Sequence, residues 1–398
     1  VGTSDVQLAA GAWHGDQHDV DGSGSTNIVD IMLISQHLGD QAYLTGWYSG
    51  FTRWYPYESM IGSLLTMPYI SESHYADKDI PATLDRLRTG RVQALVELQR
   101  AWVRDGNVAA IEDFVRMMDP SPSVYGWYLY DEPLGPVSLE NFLAAADAIR
   151  KNSDKPIAVA FCCGQSPTVQ LIEPSASWYA GFDILMYDWY PIYNGSVEFA
   201  GWPEAWSNSL DHYASLAETH GKAFIPVLQG HGCKDDGSTA WGRRDPTSAE
   251  LRYLFWTSAV RKTVGSLWFA HYRALITPGL QAHSDGTLWC VSGLNDGIRP
   301  KIELLHTLAE TVSPKITGSI PMSPDVAVEG ITYKYGRGLL IAVNEIAVNR
   351  QVNFTLSDIV SGTATVLGEG RTVPILAHNL SDAFDAFDTH VYEIRRSK

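Results

Sequence analysis

The chain has 398 residues, 45 acidic against 29 basic, for a formal net charge of −16. That balance argues against nucleic acid and anionic membrane surfaces as partners, since both call for a basic face, and no apolar run reaches the length of a bilayer span. With 45% apolar residues and 13 Trp, the composition is that of a folded protein rich in flat side chains, long enough for one large barrel plus a smaller module.

Eight short apolar runs of strand length lie at 6–13, 42–48, 61–69, 125–131, 156–161, 182–188, 223–229 and 265–271. Stretches of helical period separate or follow them, at 30–38, 92–118, 139–151, 206–220, 248–263 and 301–311. Eight strands, each followed by a crossover, predict an α/β fold of the (β/α)8 TIM-barrel type. The crossover at 49–60 is short, with room for about one turn of helix. Past residue 311, Pro314, Gly318, Pro321 and Pro324 mark a linker over 312–325. Alternating, β-branched runs at 326–335, 338–343, 351–356, 363–366, 372–376 and 390–394 then predict a small all-β sandwich over 326–398. The domain plan is thus a barrel over 1–311, a linker, and the sandwich.

The four cysteines are too few for a disulfide scaffold in a chain this long. Cys162 and Cys163 are adjacent and lack a C-x-x-C spacing. Two readings stay open, a bridge between Cys233 and Cys290 or buried thiols. The first residue, Val1, is read as a processed start, and a secreted or periplasmic protein is expected.

In a barrel of this kind, chemistry sits where the strands end. The first run ends in Trp13 and His14 and the second in Trp47. The fourth ends in Tyr130, Asp131 and Glu132, and the sixth in Tyr187, Asp188, Trp189 and Tyr190. Gln229 and His231 close the seventh, Trp268 and His271 the eighth. Carboxylates, amides and aromatic faces on one rim suit a poly- or oligosaccharide, whose C–H faces stack on rings while acids handle the acetal. No glycine-rich phosphate cradle and no H-E-x-x-H spacing accompanies them. Alternation puts Tyr128, Tyr130 and Glu132 on one side of the fourth strand and Trp127, Leu129 and Asp131 on the other. With Trp127 and Leu129 turned to the helices, Glu132 faces inward as the expected proton donor.

Asp131-Glu132-Pro133 resembles the Asn/Asp-Glu-Pro end of strand 4 in the clan A glycoside hydrolases, barrels that often carry a C-terminal β-sandwich. The resemblance implies a glycosidase in which Glu132 is the general acid/base, and Asp188-Trp189-Tyr190-Pro191 looks like a sugar-contact segment of such barrels. These enzymes place a nucleophilic Glu at the end of strand 7, where this chain has Gln229. Three explanations stay open: an engineered Glu-to-Gln change, a different second carboxylate such as Asp188 or Asp16, or substrate assistance. Asp131-Glu132 is similar to the Asp-Glu pair of substrate-assisted hexosaminidases, which would make Asp131 the orienting group and Gln229 a sugar-binding amide. The rival is a non-catalytic carbohydrate-binding barrel.

The segment 19–30 places Asp19, Asp21, Ser23, Asn27 and Asp30 at loop positions 1, 3, 5, 9 and 12, with Gly24 at position 6 and the Ser25 carbonyl at position 7. That is an EF-hand arrangement of oxygen ligands, and it resembles the calcium loop of dockerin modules. A single structural Ca2+ is expected there, against the alternative of a polar loop capping the first helix. No cofactor is expected for catalysis.

Overall fold

The computed structural model describes residues 44–48, 64–67, 80–90, 92–162, 173–193, 196–230, 244, 246–261, 263–269, 326–332, 337–356 and 359–396. Eight parallel strands form a closed barrel in chain order: β1 (Leu44–Tyr48), β2 (Leu64–Met67), β3 (Gln93–Glu97), β4 (Val124–Asp131), β5 (Ile157–Cys162), β6 (Ile184–Asp188), β7 (Ala223–Gln229) and β8 (Gly265–Phe269). The α/β barrel expected from the sequence is therefore present. Its first strand is β1, however, and not the run at 6–13, which lies outside the described residues. The barrel closes where Leu44 to Tyr48 pair with Gly265 to Phe269. A Cβ on Gly265 would stand 2.3 Å from the Leu44 carbonyl oxygen, so glycine is what lets this seam form.

The third strand corrects the expected helix at 92–118. That stretch divides into β3, a short helix α2 (Arg100–Arg104) and α3 (Val108–Met118), preceded by α1 (Ile80–Gly90). Ala94, Leu95 and Val96 are buried on both faces of β3, and such a continuous apolar run carries no period that separates strand from helix. Asn107 starts α3 by accepting the Ala110 N–H at 3.2 Å. Ile111, Phe114, Val115 and Met118 then form its buried stripe. The remaining helices are α4 (Leu139–Arg150), capped by Ser138, α5 (Pro203–Thr219), and α6 (Ser248–Ala259), begun by a Thr247/Glu250 capping box. No helix among the described residues is long and apolar enough to cross a membrane. The expected helices at 30–38 and 301–311 and the calcium loop (Asp19, Asp21, Ser23, Ser25, Asn27, Asp30) lie outside the described residues.

Alternation divides the barrel strands between two cores. Leu95, Tyr128, Ala158, Ala160, Ile184, Met186, Ile225, Val227, Leu267 and Phe269 fill the interior. Val96, Trp127, Leu129, Val159, Leu185, Tyr187, Leu228 and Trp268 face the helices.

The C-terminal strands are β9 (Val326–Thr332), β10 (Arg337–Asn344), β11 (Arg350–Thr355), β12 (Gly362–Val366), β13 (Arg371–Leu376), β14 (Asn379–Phe384) and β15 (Thr389–Arg396). They form one antiparallel sheet in the order β11-β14-β13-β12-β15-β10-β9. The strand β14 was missed by the sequence reading. Ala377 and His378, both at positive φ, make the two-residue turn that joins it to β13. Phe354 of β11 and Tyr392 of β15, four places apart in the sheet, bring their rings to 6.0 Å, so the sheet curls over its own core. It also packs on the barrel. Ile341, Val343 and Val391 join the outer barrel core, Arg252 of α6 donates to Glu369 and to the Thr389 carbonyl, and Arg261 pairs with Glu345 at 2.7 Å.

Candidate active site

The carboxylates of interest come from adjacent strand ends. In the β4–β5 pair, Tyr128 lies opposite Ala158 but Tyr130 lies opposite Val159, so Leu129 is an extra residue in the ladder. This bulge inverts the alternation that follows it. Tyr130 joins the outer core, and Asp131, opposite Ala160, turns to the interior. The parity expected from the sequence, with Tyr130 inward and Asp131 outward, is corrected by this one residue. Glu132 follows in the left-handed region, at φ 53°, with its N–H on the Ala160 carbonyl. A non-glycine residue in that region is uncommon, and such residues cluster at functional sites.

Asp131 is held from three directions. Its Oδ1 accepts from the Tyr48 hydroxyl and, at 2.9 Å, from the Tyr128 hydroxyl. Its Oδ2 accepts from Arg100 at 2.8 Å, and Arg100 also pairs with Glu97. Asp188 ends β6 on the interior side, in register with Cys162 of β5. It is 5% exposed, and its Oδ1 has no hydrogen-bond partner. The Tyr190 hydroxyl donates to its Oδ2 at 3.4 Å. The Glu132 and Asp188 carboxylates and the Cys162 sulfur lie within 4.8 Å of one another. Cys162 is disulfide-bonded, which replaces the open reading of its sulfur as a buried thiol. The other three cysteines lie outside the described residues.

Burial, reinforced by the Asp131 charge, raises the Glu132 pKa, with Arg100 opposing. Burial and then the charges of Asp131 and Glu132 push the Asp188 carboxyl well above its ordinary value. Desolvation also raises Tyr48, Tyr128 and Tyr190, so these hydroxyls stay neutral donors. Two carboxylates this close disfavour each other's ionisation, so the pair takes up its first proton more readily than an isolated carboxylate does.

Gln229 ends β7 fully buried. Its Oε1 accepts the Ile192 N–H at 2.8 Å, while its Nε2 donates to the carbonyls of Ile192 and Arg244 at 3.1 and 3.2 Å. An amide used in this way ties the segment after β6 to β7 and offers no group to a ligand, which corrects its expected role in sugar binding or catalysis.

Most of the expected ring contacts are corrected as well. Trp47, Tyr130, Tyr187, Trp189 and Trp268 belong to the outer core. Tyr187 stacks on Tyr213 at 4.0 Å, Trp189 lies 6.0 Å from Trp206, and Trp268 stacks on Phe255. Their interior neighbours occupy the mouth instead. Tyr48 and Tyr190 both contact Phe269, at 5.9 and 5.0 Å between ring centroids. Of the expected sugar contacts, Tyr190 alone of the described residues reaches the carboxylates. Trp13, His14, His231 and His271 lie outside the described residues. Tyr48, Phe269 and Arg100 were missed. Alternation held the signal for the first two, since a helix-facing Trp47 or Trp268 implies an inward Tyr48 or Phe269.

No protein-family model and no curated relative matches the chain. Solved structures do match in fold. A glycoside hydrolase of family 5 from Bacteroides vulgatus superposes with a TM-score of 0.58 over 89% of each chain at 14% identity. A noncanonic maltogenic α-amylase from Thermotoga neapolitana gives 0.53 over 89% of this chain and 99% of that one, at 11% identity. A family 27 β-L-arabinopyranosidase from Geobacillus stearothermophilus gives 0.52 over 91% and 98%, at 10% identity. The barrel with its C-terminal sheet is thus an architecture this chain shares with several glycoside hydrolase families.

Proposed function

We propose that the protein is a glycoside hydrolase acting on a poly- or oligosaccharide, with Glu132 as general acid/base and Asp188 as the second carboxylate. One observation carries the reading: two carboxylates with raised pKa values stand within 4.8 Å of each other at the C-terminal mouth of the barrel. Separations of about 5–5.5 Å accompany retention of configuration, whereas inverting pairs stand about 6.5–9.5 Å apart to admit a water. The spacing therefore supports a two-step retaining route. In the reactive form Asp188 is ionised and the proton sits on Glu132, the more exposed of the two, which protonates the leaving oxygen while Asp188 Oδ1 attacks the anomeric carbon. Glu132 then deprotonates the water that releases the sugar.

Asp131 supports the pair through its charge. Three donors already occupy its oxygens, which favours Asp188 over Asp131 and over substrate assistance. The disulfide at Cys162 supports an oxidising location such as the cell exterior or periplasm.

The test is reducing-end release from a panel of neutral, amino and acidic polysaccharides by the parent, Glu132→Gln and Asp188→Asn. The expected result is release by the parent, a loss of about 10²–10⁴-fold in Glu132→Gln, and a first product that retains the anomeric configuration. A parent that binds a glycan of the panel yet releases no ends makes this a carbohydrate-binding barrel. A first product of inverted configuration removes Asp188 from the nucleophile's role.

A further inference from the structure

The group beside Glu132 and Asp188 is a sulfur, and it has a use that hydrolysis does not absorb. Cys162 and Asp188 are register partners on β5 and β6, and Glu132 reaches them from the bulged end of β4. One donor atom from each residue fits within 4.8 Å of the other two. Independently, Asp188 Oδ1 is a buried acceptor that no donor satisfies. Buried carboxylate oxygens nearly always have a partner, and one without a partner calls for a proton or a cation.

We propose that reducing the Cys162 disulfide converts this mouth into a binding site for Zn2+, held by Cys162 Sγ, Asp188 and Glu132. The site goes beyond the glycosidase reading and stands whether or not the protein cleaves a sugar. Thiolate with carboxylates is a donor set for zinc, whereas Ca2+ takes six to eight oxygens and Mg2+ keeps its waters. Zinc ligands on a tetrahedron stand about 3.5 Å apart given metal–ligand distances of about 2.0–2.3 Å. Three donors within 4.8 Å of one another are close to that spacing, and a zinc ion on them would have its fourth position open to water. While the disulfide is intact its sulfur is a poor ligand, and two carboxylates alone hold the metal poorly.

The chemistry balances with a water-soluble phosphine as reductant. The phosphine takes one oxygen from water to become its oxide, and the disulfide takes two electrons and two protons to become two thiols. Zinc then displaces the thiol proton of Cys162 and any proton carried by the two carboxylates. A bound metal would occupy both carboxylates, so the oxidised protein is the form able to act on a substrate.

The experiment is calorimetric titration of the whole chain with Zn2+ before and after phosphine treatment, repeated with Co2+ for its thiolate-to-cobalt charge-transfer band. The expected result is uptake of one metal by the reduced parent only, with that band present. Cys162→Ala should lack the band and Asp188→Asn should bind at least about ten-fold more weakly, both with parent-like circular dichroism. Equal uptake by oxidised and reduced protein overturns the proposal, as does a reduced parent that takes up no metal. Parent-like affinity in reduced Asp188→Asn also overturns it, since the metal would then sit on other thiols. Glu132→Gln, at the more exposed ligand, provides the same reading if Asp188→Asn fails to fold. None of these readouts uses a glycan, so failure here and failure of the hydrolase reading are separate results.

Discussion

Gln229 grips Ile192 in both directions, accepting its N–H at 2.8 Å and donating to its carbonyl at 3.1 Å. The amide supplies the one acceptor and two N–H donors that these contacts use, and an ionised carboxylate has no donor at all. A carboxylate here would keep the N–H bond but turn a second oxygen toward the carbonyls of Ile192 and Arg244 in a site with no solvent. Gln229→Glu is therefore expected to lose on the order of 2–4 kcal/mol of stability and to start no new hydrolysis. Denaturant unfolding and the polysaccharide panel check both halves. A variant that gains activity would return the strand-7 position to catalysis.

Asp188→Asn should separate stability from function. Because the folded state holds the Asp188 proton more tightly than the unfolded chain does, its contribution is favourable at acid pH and is lost as pH rises through its raised folded pKa. The asparagine carries no such dependence. The melting temperature of the variant relative to the parent should climb as pH rises above the unfolded carboxyl value of about 4, while activity disappears. A difference that stays flat with pH would mean that the fold does not raise the Asp188 pKa.

The second sheet has its own titrating centre. Burial pulls His390 down, but hydrogen bonds to Asp388 and Glu369 outweigh it and push the pKa up to about 9. Arg371 stands 3.3 Å from the ring, Tyr392 packs against it, Asp382 holds Arg371, and Arg252 reaches the shared Glu369 from α6. A raised histidine stabilises the fold fully below its unfolded pKa of about 6.5, an effect lost as pH rises through 9. Stability should therefore fall on the order of 3 kcal/mol across that window, and His390→Gln should flatten the slope. Parallel slopes in parent and variant would place the titration elsewhere.

Phe387, at φ 60°, sets its ring 5.2 Å from Phe199 and 5.8 Å from Tyr253. The Phe199 N–H in turn bonds the buried Glu250, which is paired with Arg244. Phe387→Ala is expected to destabilise by about 2 kcal/mol, below the usual range for a fully buried ring. Proteolysis between the barrel and the sheet should quicken with it. An unchanged cleavage rate would show that Ile341, Val343 and Val391, with the ionic contacts of Arg252 and Arg261, hold the two parts together without the Phe387 ring.

The barrel was legible because β4 to β8 carry clean alternation or short buried runs with clear limits. The count of eight, however, did not match the barrel strand for strand. β3 was hidden in an apparent helix, and the run at 6–13, counted as the first strand, lies outside the described residues while the barrel begins at Leu44. Ala94-Leu95-Val96 is buried on both faces, and hydrophobicity alone cannot assign such a run. Glu132 and Asp188 were singled out from their places at strand ends, and the structure brings them together. Their mutual arrangement was not legible, because the bulge at Leu129 leaves no mark in the hydrophobic pattern. The Trp residues misled for a physical reason. A barrel strand ends with one ring facing outward as readily as inward, and Trp47, Trp189 and Trp268 fill the wide space against the helices, leaving the interior to Tyr and Phe.

The seam between Leu44 and Gly265 also governs the order in which the molecule can assemble. Its partners are the first and last barrel strands, so their pairing encloses the longest loop in the barrel and is entropically the slowest to form. On the ribosome, β1 has no β8 to pair with until residue 265 emerges. Tyr48 cannot meet Phe269 before then, and an exposed strand edge is available to other chains. The mouth that holds Glu132 and Asp188 therefore cannot be complete before β8 has been made. A chaperone that shields β1 until that moment would protect the yield of the whole protein.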